Sequence, residues 1–158
     1  CTAYLLGEGQ SVMYSFVPRA YIVSPIPGLP FGKVPFNYLR DNLTKTIAET
    51  DVEFDLMIQL QTDPHLMPIE DSSVRWPEKL SPFIPVATVH MPKQVHNFEA
   101  MGDFTKRLKM NPWHCLPEHR PLGNLNRARF RLYRELSNFR QEMNQVTHLE
   151  PSGDEVFE

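Results

Sequence analysis

The sequence predicts an α+β domain in which antiparallel strands come first and helices gather toward the C-terminal end. Three observations predict it. Residues 11–18 and 51–61 alternate between apolar and polar side chains, the period-two signature of half-buried strands. Residues 124–145 place Leu125, Leu132, Leu136, Phe139 and Met143 at helical spacing. Proline is abundant (15 residues against 7 Gly), which predicts long, stiff, ordered connections rather than low complexity. At 158 residues the chain is long enough for one domain with a real core.

Each element follows from local chemistry. Residues 2–6 are a short apolar run, closed by a turn at Gly7-Glu8-Gly9. In the strand at 11–18, Val12, Tyr14 and Phe16 share one face and Met13, Ser15 and Val17 the other. Residues 20–23 read as a further strand, antiparallel to the first or continuing past a bulge at Pro18. Four Pro and two Gly between 25 and 35 rule out regular structure, leaving a loop packed through Ile26, Leu29 and Phe31. A helix over 37–49 has Asn37 as N-cap and Asp41 near its positive end, with Leu39, Leu43 and Ile47 facing the core. The strand at 51–61 sets Val52, Phe54, Leu56, Ile58 and Leu60 against a polar face that includes Asp51, Glu53 and Asp55. A loop over 62–82 carries Asp63-Pro64, Met67-Pro68 and Trp76-Pro77. Then come a strand at 85–91, a helix at 96–110 with Phe98, Met101, Phe104 and Leu108 inward, and a stiff loop at 111–123. Asn124 is the expected cap of the last helix.

Composition excludes several classes. A net charge of −3 argues against a general nucleic-acid surface. There is no run of 18 apolar residues, so no membrane span is expected, and no stretch of this sequence reads as a signal peptide. Two cysteines, Cys1 and Cys115, make no disulfide framework and fit a reducing, cytoplasmic compartment. A chain that opens on Cys1 and enters an apolar segment directly is expected to be a fragment of a longer protein or a product of processing. The acidic tail at 150–158 is expected to fray.

The candidate chemistry lies on the last helix. Arg129 is four residues before Tyr133, and Arg140 seven after it. At 3.6 residues per turn the three fall within roughly 60° of one another. A cation one turn from a phenol favours the phenolate. A phenolate is a hard anionic ligand for ferric iron, and Tyr is among the axial ligands found for haem. A further Arg suits a propionate, which guanidinium binds bidentately. Two plainer readings fit the same helix. The apolar stripe could be core, and five Arg between 126 and 140 could be a solvated face or bind phosphate.

The pattern R-F-R-L-Y-x6-R resembles the proximal helix of the catalase family. That resemblance implies Tyr133 as the iron ligand, with Arg129 beside its phenol oxygen and Arg140 on a haem propionate. The strand F-D-L-M-I-Q-L-Q-T-D-P, the loop W-P-E-K-L-S-P-F-I-P-V-A and the element order also resemble the second half of the catalase barrel, over residues 11–144. The fold implied is part of an antiparallel β-barrel, a long wrapping loop and C-terminal helices. Residues 1–95 would be barrel strands with an inserted helix, 96–123 a helix and wrapping loop, and 124–158 the proximal helix and tail. After Tyr133 the chain reads Arg134-Glu135-Leu136-Ser137 where the family has a small residue or Pro, then Asp-Thr, so it resembles a divergent branch. The function implied is haem b-dependent metabolism of a peroxide or organic hydroperoxide. The family's distal His and Asn come from earlier strands, so a preceding segment would have to carry them, and homo-oligomers are expected by resemblance. Two other readings stay open: a haem-free barrel holding an apolar ligand, and an interaction module whose Arg-rich helix meets an acidic partner.

Other clusters point less far. His114, Cys115 and His119 form H-C-x3-H, one ligand short of a closed zinc site, and read as a packed loop anchored by Trp113. Cys115 as a haem thiolate lacks a neighbour comparable to Arg129. Asp51, Glu53 and Asp55 read as the solvated side of a strand rather than a calcium or acid/base site. No P-loop, G-x-S-x-G or dinucleotide fingerprint is present.

Overall fold

A computed structural model of the chain describes residues 2–20, 26, 32–95, 97–155 and 157. Four strands form one antiparallel sheet in sequential order: β1 (Tyr4–Leu5), β2 (Ser11–Pro18), β3 (Val52–Leu60) and β4 (Ile84–Met91). Three helices follow or interrupt them: α1 (Tyr38–Glu49), α2 (Phe98–Arg107) and α3 (Asn124–Asn144), with a 3-10 turn at Pro117–His119. The strands at 11–18, 51–61 and 85–91 appear almost as the alternation predicts. The expected strand at 20–23 falls mostly outside the described residues, as does most of the loop at 25–35. Among the described residues the sheet stays open and does not close into a barrel.

Register decides what each sheet face does. Met13 stands opposite Gln59, so both point to one side. On that side Met13, Ala3, Met67 and Trp76 form the buried cluster, with Ile69 and Leu122 against it. The loop at 62–82 therefore builds the core rather than skirting it. Trp76 is 1% exposed, and its Nε1–H donates to the Pro68 carbonyl at 3.2 Å. Buried Gln59 donates to the carbonyls of Trp76 and Ser81 at 3.2 and 2.8 Å. These bonds satisfy an amide that would otherwise be costly to bury. Asp63 opens the loop by accepting from the backbone of His65 and Leu66, an Asx turn.

The opposite face carries Tyr4, Val12, Tyr14 and Phe16, with Ile58 and Leu56 across from them. Its far end is uncovered, and Phe16 is 58% exposed. At that end of the sheet, on the Met13 side, the polar row is ion-paired rather than merely solvated. Arg19 donates to Asp55, Glu53 and Thr88, His90 meets Glu53, and Asp51 accepts from the Lys93 backbone.

The helices depart from expectation in which side they bury. In α1 only Ile47 is buried; Leu39 and Leu43 are exposed at 70% and 50%. Asn37 makes no side-chain cap. Helix α2 is shorter than 96–110 and starts at Asn97, whose Oδ1 accepts from Glu99 and Ala100. None of its residues is buried. Helix α3 is capped by Gly123 rather than Asn124. It buries Asn126, Ser137 and Gln141, a polar line. The stripe Leu125, Leu132, Leu136, Phe139 and Met143, expected to be core, is 44–69% exposed. Periodicity reveals that a helix is amphipathic; it does not reveal which side meets a neighbour.

Candidate functional site

Helix α3 brings Arg129 and Tyr133 together one turn apart. Arg129 Nη2–H donates to the Tyr133 hydroxyl at 3.1 Å, and its guanidinium carbon lies 5.1 Å from the ring centroid. Both side chains are half-buried. The pairing with Tyr133 holds the Arg129 guanidinium above its ordinary range, against an opposing effect of burial, and nearby Tyr4 adds to it electrostatically. The guanidinium thus bonds the α3 phenol directly and lies in the electrostatic reach of a second, Tyr4 on β1.

Arg140 is placed differently from the expectation. It is exposed, and its Nη2–H donates to the Leu108 carbonyl just beyond α2. Gln141 reaches the neighbouring Arg107 carbonyl at 2.8 Å. A cation and an amide from α3 therefore satisfy carbonyls that the end of α2 leaves free. Of the three expected site residues, two are joined and the third is engaged elsewhere.

Asn126 and Tyr4 belong to the arrangement and were not singled out from sequence. Asn126 is fully buried, and its Oδ1 accepts from Arg129 Nη1 at 3.3 Å. The three-residue spacing of Asn126 and Arg129 was a signal available in the sequence. Tyr4 lies over a hundred residues away and offered none.

One open cleft reaches Tyr133, and another opens on the face of the sheet that carries Tyr4. One of about 400 Å³ is lined by Tyr133 with Lys109, Met110, Asn111, Pro112 and His114. The other, about 490 Å³, is lined by Thr2, Tyr4, Tyr14, Phe16 and Leu56 and is mainly apolar. Tyr4 and Tyr14 rings sit 5.4 Å apart, and burial, then Tyr4, raises the Tyr14 hydroxyl. Trp113 anchors the first cleft, donating from Nε1 to the Asn126 carbonyl at 3.0 Å and packing edge-on to Phe130. His114 and Cys115 are exposed, and His119 Nδ1 is buried without a hydrogen-bond partner. Among the described residues no group of three His, Cys, Asp or Glu could hold a metal ion, and no helix is long and apolar enough to cross a membrane.

No family model and no curated protein matches the sequence. A solved structure does: a fungal catalase superposes with a TM-score of 0.65 over 94% of this chain, at 16% identity. The chain has a catalase-like fold. The match covers 33% of that catalase chain, so this chain spans about a third of its length.

The donor set can be tested against haem on its own terms. A half-buried phenol bonded to a guanidinium and facing an open cleft fits the chemistry of an iron ligand. Arg140 fits a propionate only after leaving the Leu108 carbonyl.

Proposed function

We propose that the chain supplies the proximal side of a haem site that metabolises a peroxide or organic hydroperoxide. Tyr133 is the iron ligand. Arg129 stabilises its anionic form by a charge-assisted hydrogen bond, and Arg140 turns from Leu108 to a propionate. Bound there, haem b supplies the iron at which a peroxide O–O bond is cleaved. The chain's own residues orient and hold: Asn126 accepts from the guanidinium and fixes it beside the phenol. The observation that carries the reading is the 3.1 Å bond between Arg129 and Tyr133, on a helix of a catalase-like fold. Distal groups would come from polypeptide outside this sequence, and an oligomer is proposed by analogy with the fold.

Titrating the purified chain with ferric haem tests it. The expected result is a Soret band with tyrosinate-to-iron charge transfer, lost in Tyr133→Phe. An unchanged spectrum in that variant removes the assignment. A second reading, a haem-free binder of an apolar ligand, draws on the cleft between Tyr4, Tyr14, Phe16 and Leu56. A chain that stays colourless with haem supplied, yet binds an apolar fluorophore there, would favour it.

A further inference from the structure

A fully buried asparagine two residues into a long helix needs a reason. Asn has poor helix propensity, because its amide competes for the backbone, and an unbonded buried amide is costly. Asn126 answers by using both amide hydrogens: Nδ2 donates to the Ala3 carbonyl at 3.0 Å and to the Leu122 carbonyl at 2.8 Å. Those two acceptors fix which way the amide faces, since a flipped group would set its oxygen against two carbonyl oxygens. Oδ1 must then point at Arg129, whose Nη1 it meets at 3.3 Å. The Ala3 carbonyl is itself held by Leu122 N–H at 2.9 Å, and the Asn126 carbonyl by Trp113.

We propose that Asn126 is the positioning residue of the Arg129–Tyr133 pair, setting the guanidinium's rotation from the backbone just ahead of β1 and the loop before α3; the proposal rests on the Tyr133 reading above. Arg129 alone has several staggered rotamers within reach of Tyr133. With Oδ1 on Nη1 and the phenol on Nη2, the planar fork is fixed at two points. Asn126 touches no ligand and acts only through Arg129.

The test uses the full chain and two readouts. Asn126→Ser keeps a hydroxyl that can bond the Leu122 carbonyl one turn back but cannot span to Arg129; Asn126→Leu keeps volume and loses every bond. In the haem-free chain, Arg129 guanidinium resonances in nitrogen-edited NMR should show hindered rotation in the parent and averaging in Asn126→Ser. Ferric haem affinity should fall about tenfold in Asn126→Ser, the scale of one lost charged hydrogen bond. In the Arg129→Ala background the same substitution should cost nothing further, because a residue acting through another is non-additive with it. An equal loss in that background, or an unchanged guanidinium spectrum, overturns the proposal and leaves Asn126 a packing residue. If the parent shows no tyrosinate signature, the haem reading fails while the guanidinium spectrum still decides this one.

Discussion

Gly123 is closely approached by the Ile69 backbone, and replacing it with alanine tests how α3 is seated. Its φ of 86° and ψ of 165° lie in a region that is essentially glycine-only. A Cβ built there would lie 2.5 Å from the Ile69 carbonyl oxygen and 3.4 Å from the Ile69 carbonyl carbon. Neither obstacle is a flexible side chain, so the backbone of one segment must move. The backbone conformation alone costs about 1–3 kcal/mol, and the forced shift adds about 1–2 kcal/mol on the scale of overpacking. Gly123→Ala should therefore lose about 2–5 kcal/mol in urea unfolding, with altered Tyr fluorescence because Asn126 and Arg129 start from this residue. Gly102→Ala is the internal control: it lies inside α2 with nothing within 4 Å of a built Cβ, and should gain about 0.5–1 kcal/mol. A loss below about 0.5 kcal/mol at Gly123 would refute the seating described.

Other perturbations follow from the same structure. Trp76→Ala removes the largest fully buried side chain and should cost about 3–5 kcal/mol in the same assay; a cost under about 1 kcal/mol would mean the loop at 62–82 is not core. Phe139→Glu and Leu136→Glu, on the exposed stripe, should change the stability of the isolated chain by less than about 0.5 kcal/mol, and a loss above about 1.5 kcal/mol would show the stripe packed. The hydrogen bond from Arg127 holds the Glu70 carboxyl below the ordinary carboxylate range. A carboxyl depressed in the folded state adds stability above its unfolded pKa and loses it as pH falls through the folded value. The urea midpoint should thus fall from about pH 5 toward pH 3, less steeply in Glu70→Gln; identical slopes in parent and variant would exclude the pair.

Much of the fold was legible because strands announce themselves locally. Alternation in 11–18 and 51–61 reports a half-buried pleat whatever lies beyond it, and β2 and β3 occupy those positions. The pairing of Arg129 with Tyr133 was legible for the same reason: i, i+4 spacing brings such side chains within reach on any helix. What failed was everything set by distant partners. The apolar line on α3 is real but lies outward, because the helix docks through Asn126, Ser137 and Gln141. Arg140 found a backbone carbonyl at the end of another helix, an acceptor that no side-chain pattern encodes. Trp76 and Met67 sit in a segment legible only as a proline-rich loop, and its place in the core came from the fold of that segment onto the sheet. Asn126 was overlooked because asparagine within a helix reads as a mild propensity defect until its three partners are seen.

The carbonyl of Ala3, just ahead of the first strand, takes hydrogen bonds from both Leu122 and Asn126, beside the backbone bonds from Leu5 to Arg120 and from Gly7 to Glu118 that tie the same two segments together. Among these ties only the Asn126 amide also meets the charge beside the phenol, so a shift of Ala3 would be felt at Arg129.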